Sequence, residues 1–148
     1  DLKGLTQLVV GIVLLIYASI QLGIQWSALS LGLLLITLFG ASLVQISIIV
    51  SASCVSFWVV NSWPVLGLAL KLREFAPYPM TIFNGAFRFL FTYLIPVGFI
   101  AFYPSQFFLR PTEISPLIYL SPLVGIALFA LTYWIWTKGV NSYTGTGS

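Results

Sequence analysis

The chain has 148 residues, of which 6% are charged and 59% hydrophobic, with a mean hydropathy of +1.06 and a net charge of +3. A water-soluble domain devotes about a quarter of its residues to charge, and no charged residue occurs from Gly4 to Leu70. That excludes a soluble fold, and six scattered basic residues exclude a nucleic-acid surface. In lipid each backbone N–H and C=O must be satisfied within its own segment, so the expected class is an all-α integral membrane protein with four transmembrane helices in a single membrane domain.

In chain order, residues 5–24 supply the ~20 apolar residues that a span requires. Gln21, Gly23, Gln25 and Trp26 form a short uncharged break. Residues 27–60 suit one tilted span with an extension, with Trp26 and Trp58 at its ends, where indoles favour the interface. Residues 61–79 differ: Asn61, Ser62 and Pro64 interrupt the apolar run, Lys71, Arg73 and Glu74 follow, and Pro77 and Pro79 close it. Leu66, Leu70 and Arg73 share a helical face at i, i+4, i+7 spacing, which predicts a short interfacial helix ending in a Pro-rich turn. The third span is expected within 82–105, kinked or broken at Pro96 and ended by Pro104. A polar loop over 106–116 precedes the fourth span at 117–137, and residues 138–148 form a tail rich in Gly, Ser and Thr.

Four spans leave both ends on one side. Lys3, Lys71, Arg73, Arg88 and Lys138 then share that side, with only Arg110 opposite. The positive-inside rule makes the shared side cytoplasmic, so 61–79 and 138–148 are expected in the cytoplasm and 106–116 outside. The chain begins with Asp1, and its first residues are not a signal-peptide n-region. Residue 1 is therefore expected not to be the true start, with an N-terminal portion lacking.

The absent chemistry is informative. There is no His, and the acids are Asp1, Glu74 and Glu113. A Ser–His pair, an HExxH metal site, an aspartyl dyad and a nucleotide-cradling glycine loop are all missing. No catalytic residue, cofactor or metal is expected in this chain. No carboxylate lies inside a span to couple ions, so any transport would draw its energy from a partner. Cys54, alone in an apolar run, reads as a small packing residue.

Three features could carry function. Ser42, Gln45, Ser53 and Ser56 fall on one face of the second span, with Ser47 and Ser51 beside it; the face either packs helices or lines a path or subunit interface. Arg88 must either anchor the end of a span or pair with Glu74 or a partner subunit. Lys71, Arg73, Glu74 and Phe75 form the largest charged patch on the cytoplasmic side, suited to lipid headgroups or to a soluble partner that pushes there.

The run Arg73-Glu74-Phe75-Ala76-Pro77-Tyr78-Pro79-Met80-Thr81-Ile82-Phe83 is similar to a segment of permeases of type-2 ABC transporters, closest to a bacterial branch of uncharacterised export permeases. The likeness continues through Phe57-Trp58 upstream, Arg88-Phe89-Leu90 with Thr92, Ile95-Pro96-Val97, Tyr103-Pro104, and a tail of Gly139, Tyr143 and Thr146-Gly147-Ser148. It implies a six-span permease of which the four spans here are the third to sixth. It also implies a second permease copy or paralogue as partner, separate ABC ATPase subunits that drive the motion, and a place in the bacterial inner membrane. Residues 61–79 would be the second cytoplasmic loop. The resemblance departs at the external hairpin common before the last span, which here is short or built from 96–109. A non-transporting membrane scaffold of a larger complex is the rival reading.

Overall fold

The computed structural model describes residues 2–109 and 116–142, and the described residues contain helices and turns but no strand. They form α1 (Leu2–Gln21), α2 (Ala28–Cys54), α3 (Trp63–Arg73), α4 (Gly85–Phe89), α5 (Phe102–Leu109) and α6 (Leu117–Ser142). Three stretches, Gly4–Gln21, Ala28–Phe57 and Tyr119–Ser142, are long and apolar enough to cross a membrane. The chain divides into two units, residues 1–32 and 33–148.

In the first unit, α1 ends at Gly23, whose φ of +61° is a conformation that disfavours side chains. The Ile24 N–H reaches back to the Ser19 carbonyl at 3.0 Å, which satisfies a carbonyl the helix would leave bare. Four residues on, Ser27 opens α2. The Ser27 hydroxyl accepts from the Ser30 N–H at 3.2 Å, and the Ser30 hydroxyl accepts from the Ser27 N–H at 2.8 Å, so each caps the other.

The second unit is organised by α2 and α6. The stretch Ala28–Phe57, with its last turn narrowed to a 3-10 helix, has 30 residues and is about 45 Å long. A bilayer core is ~30 Å thick, so this stretch must tilt or extend beyond it. Gly40 lies against Ser121 and Pro122, and Gly125 against Gly40. Further along, Ser47 and Ser51 meet Thr132, and Phe57 meets Gly139. Both sequences advance together, so α2 and α6 run parallel. A Cβ added to Gly125 would stand 2.5 Å from the Gly40 carbonyl oxygen, so the two backbones touch because neither carries a side chain there.

Two parallel helices require the chain between them to cross the layer once. A third transmembrane helix within 82–105, kinked or broken at Pro96, was the expectation; short helices and turns stand there instead of one long helix. No helix between Phe57 and Leu117 among the described residues is long enough to cross. After α3 and a turn at Glu74–Pro79, the return is made in pieces, through α4, a π-helical turn at Leu90–Leu94, a 3-10 turn at Val97–Phe99 and α5. Pro96 breaks the segment as expected. The residue before a proline is pushed out of the α region, and Ile95 has φ −125° and ψ 82°. Pro104, expected to end a span, instead sits in the first turn of α5, where a missing N–H loses no helical bond. Gln106–Leu109, expected in a loop, is helical, and 110–115 lies outside the described residues.

Exposed Trp58, Trp63, Trp134 and Trp136 gather at the ends of α2 and α6 and the start of α3, and the Lys138 ammonium stands 5.9 Å from the centre of the Trp134 ring. This aromatic and cationic rim suits the membrane–water interface.

Gly125→Ala places a methyl group where the Gly40 backbone lies and should destabilise the fold by about 1–3 kcal/mol. Gly11→Ala meets nothing within 4 Å. Thermal unfolding of the full-length protein in neutral detergent should show a lowered midpoint for the first and an unchanged or raised midpoint for the second; equal midpoints would refute the contact.

Candidate functional site

The broken segment and the turn that leads into it form the centre of the second unit. Before Pro96 the helix widens, so the Ile95 N–H bonds the Leu90 carbonyl five residues back, at 2.8 Å. Val97, Gly98 and Phe99 follow and are buried. Phe91, Val97, Phe99 and Tyr103 pack with Val44 of α2 and with Ala76 and Met80 from the turn after α3. Thr92 Oγ1 and the Tyr103 hydroxyl, both buried, are 2.7 Å apart and join the two sides of the break. Each satisfies a polar group that would be costly alone in an apolar interior.

α3 turns back alongside the last turns of α2. Its Leu68 and Leu72 line a cavity of about 340 Å³ together with Ser47 and Ala52 of α2, Leu131 of α6 and Pro96. Its buried face is Ala69, with Leu72 half-buried, whereas Leu70 and Arg73 are exposed. Of the face shared by Leu66, Leu70 and Arg73, Leu66 is half-buried. Small Ala69 and Ala76 allow the close approach, and the spacing of leucines did not reveal it. A second cavity, of about 470 Å³, lies between the 77–81 turn and α5 and is lined by Thr81, Ser105 and Gln106 among others.

Lys71, Arg73 and Glu74 are exposed at the end of α3. Cations suit the bare carbonyls of a helix C-terminus. Below them the helix unwinds through Glu74→Lys71, Phe75→Leu72 and Ala76→Arg73 backbone bonds of 3.0–3.1 Å. The Phe75 ring stacks on Phe91 at 5.4 Å and meets Phe83 edge-on at 6.0 Å, and Phe83 meets Phe91 at 5.2 Å. The charged patch is thus tied by aromatic contacts to the π turn.

Arg88 lies in α4 and bonds backbone, not Glu74. Its Nε donates to the Met80 carbonyl at 3.1 Å, and one Nη donates to the Thr81 and Phe83 carbonyls at 3.3 and 3.4 Å. These bonds tie α4 to the 80–83 turn that precedes it.

The stripe Ser42, Gln45, Ser53 and Ser56 is not brought into the core. Gln45 is half-buried and the serines are exposed, with the hydroxyls of Ser42, Ser53 and Ser56 donating to Leu38, Ile49 and Ser53 carbonyls on their own helix. The buried polar face is its neighbour. Ser51 Oγ lies 2.8 Å from Thr132 Oγ1, which also approaches the Ser47 carbonyl at 3.3 Å. The signal for it was the small-residue spacing Gly40, Ser47, Ser51 opposite Ser121 and Gly125. Among the described residues no group of three His, Cys, Asp or Glu could hold a metal.

Thr132→Val removes the bridge between α2 and α6 and should cost ~0.6 kcal/mol, at most ~1.7. Ser47→Ala removes a buried hydroxyl that has no partner and should be neutral or stabilising. Denaturation in mixed micelles should rank Thr132→Val below Ser47→Ala; the reverse order would refute the assignment of the buried polar face.

No curated protein and no solved structure matches the chain. The model of a family described as ABC-2 family transporter protein matches residues 1–147. With apolar helices long enough to span a bilayer and a family match over nearly its whole length, the chain belongs to the ABC-2 family of transporter proteins and is a permease component of an ABC transporter.

Proposed function

We propose that this permease serves an exporter in the bacterial inner membrane, paired with a second permease copy or paralogue and driven by separate ABC ATPase subunits. The observation that carries the reading is the exposed Lys71, Arg73 and Glu74 patch at the end of α3, with Phe75 seated on Phe91 below it. A push on that patch reaches the π turn and the Pro96 break through ring contacts, and an irregular segment is the part of the bundle most able to change shape. The patch is the docking point for the ATPase, and both ends of the chain face the cytoplasm with it. Ser42, Gln45, Ser53 and Ser56 form the face of α2 turned toward the path or the second permease. No side chain of this chain reacts; ATP hydrolysis belongs to the partner.

The test is co-purification and efflux. The tagged full-length protein should bring down an ABC ATPase and give ATP-dependent efflux in vesicles. Exchanging both Lys71 and Arg73 for Glu should weaken the ATPase contact about tenfold or more, a loss of roughly 1.4 kcal/mol. Neither ATPase nor efflux with the native chain would end the reading, and an unchanged contact in the double variant would move the docking point elsewhere. Single cysteines placed at positions 73 and 110 should react with an impermeant reagent from opposite sides, 73 from the cytoplasm; labelling of both from one side would overturn the orientation.

A further inference from the structure

The cavity of about 340 Å³ beside α3 is nearly all apolar, and one group in its wall has no evident role in the fold. Leu68 and Leu72 of α3, Leu131 of α6 and Pro96 supply apolar sides, and no charged residue lines it among the described residues. The lining residues with polar side chains are Ser47 and Ser51 of α2. Ser51 is committed, its hydroxyl 2.8 Å from that of Thr132. Ser47 is 1% exposed, and its hydroxyl has no hydrogen-bond partner.

Other serines of this helix behave differently. Ser42 and Ser53 donate to the carbonyls of Leu38 and Ile49 on the preceding turn. Ser121 of α6 shares the lack of a partner, but it lies against Gly40, where the two helices touch. A buried polar group without a partner carries an uncompensated desolvation cost, and native chains hold few of them. A water molecule would not relieve it: water needs two to four polar partners, and the lining side chains offer one uncommitted hydroxyl. The space is also larger than a water requires. A cavity of about 150 Å³ holds a benzene ring, and ligand sites start at ~300 Å³, mostly apolar with a few placed polar groups.

We propose that this cavity is a binding site for a neutral amphiphile, an apolar chain or ring system bearing one hydroxyl or carbonyl group that pairs with the Ser47 hydroxyl. A charged guest is excluded, because nothing in the wall would neutralise it. A plain hydrocarbon tail from the bilayer fills space but leaves Ser47 unpaired. The polar group of an amphiphile relieves that cost, and the difference sets the selectivity of the site. Leu72 stands between Lys71 and Arg73 in the chain, and Pro96 marks the break. The guest therefore touches both the helix that carries the charged patch and the irregular segment. The site requires neither the ATPase nor a direction of transport.

The test uses the full-length protein in lipid nanodiscs, where bilayer tails are the competing background. The probe is decanol carrying a photoreactive diazirine, with crosslinks mapped by mass spectrometry. Labelling of residues 65–72 and 128–135 should saturate. Unlabelled decanol should displace it about three- to tenfold better than decane at equal mole fraction in the bilayer, the range that one neutral hydrogen bond supports. Labelling of α1, whose apolar residues are exposed, should show no such preference. Ser47→Ala should make the two competitors equal. Labelling that does not saturate, equal competition in the native protein, or a preference that survives Ser47→Ala overturns the proposal. If Ser47→Ala does not fold, Ser47→Cys decides, because a thiol is a weak donor and acceptor: a lost preference supports the site, and an intact one overturns it. No ATPase enters the assay, so failure of the exporter reading by co-purification leaves this result standing, and the converse also holds.

Discussion

Between lipid-facing helices there is no hydrophobic force to gain, because a lipid tail is as apolar as a leucine. What holds α2 to α6 must then be close contact, and it is made where Gly125 meets the backbone of Gly40. The approach brings Ser51 within reach of Thr132, and Thr132 within reach of the Ser47 carbonyl. The irregular segment builds on the surface this pair presents: Val44 and Ile48 from α2, Val124 and Leu128 from α6, share one cluster with Met80, Phe91 and Tyr103. Because the pair is parallel, the intervening chain has to return across the layer, and the form of that return gives the unit its character.

The return is irregular, and irregular backbone at membrane depth survives only where protein covers it or water reaches it. Val97 and Phe99 are almost fully buried, and the Thr92–Tyr103 pair spans the break. The result is a segment that is well packed but not helical, with one end tied to the charged tip of α3 through Phe75 and Phe91. A continuous helix in that position would transmit a push as a rigid rod. A break bounded by a π turn and a proline can instead absorb it as a change in local geometry.

Much of this was legible from residue order. The long apolar stretches of α1, α2 and α6, the break at Pro96 and the family likeness through Arg73–Phe83 and Arg88 all followed from composition and motif. The faces did not. In a water-soluble helix the polar side marks the surface, but in lipid an apolar side faces lipid and protein alike, and a serine can satisfy its own hydroxyl on the preceding turn. Ser42, Ser53 and Ser56 do so and stay outside, while Ser47 and Ser51 lie toward α6. Leucine spacing did not mark the buried residues there either: Ala69 and Ala76 pack because they are small. The form of the third crossing stayed open because a 24-residue window with two prolines can be read as one kinked helix or as several short ones. The role of Arg88 depended on carbonyls five to eight residues earlier, which no side-chain pattern reports.

The α2–α6 contact also sets an order of events during biosynthesis. Ser47 and Thr132 are 85 residues apart. At ~5–20 residues per second, α2 leaves the ribosome roughly 4–17 seconds before its partner exists. During that interval its glycine face is unfilled and the 63–109 segment has no second wall to fold against. The nascent chain therefore spends seconds in the bilayer as a helix beside a polar-flanked, unfinished stretch, exposed to quality-control proteases and dependent on the insertion machinery for shelter. Assembly of the α2–α6 pair is timed by the synthesis of α6.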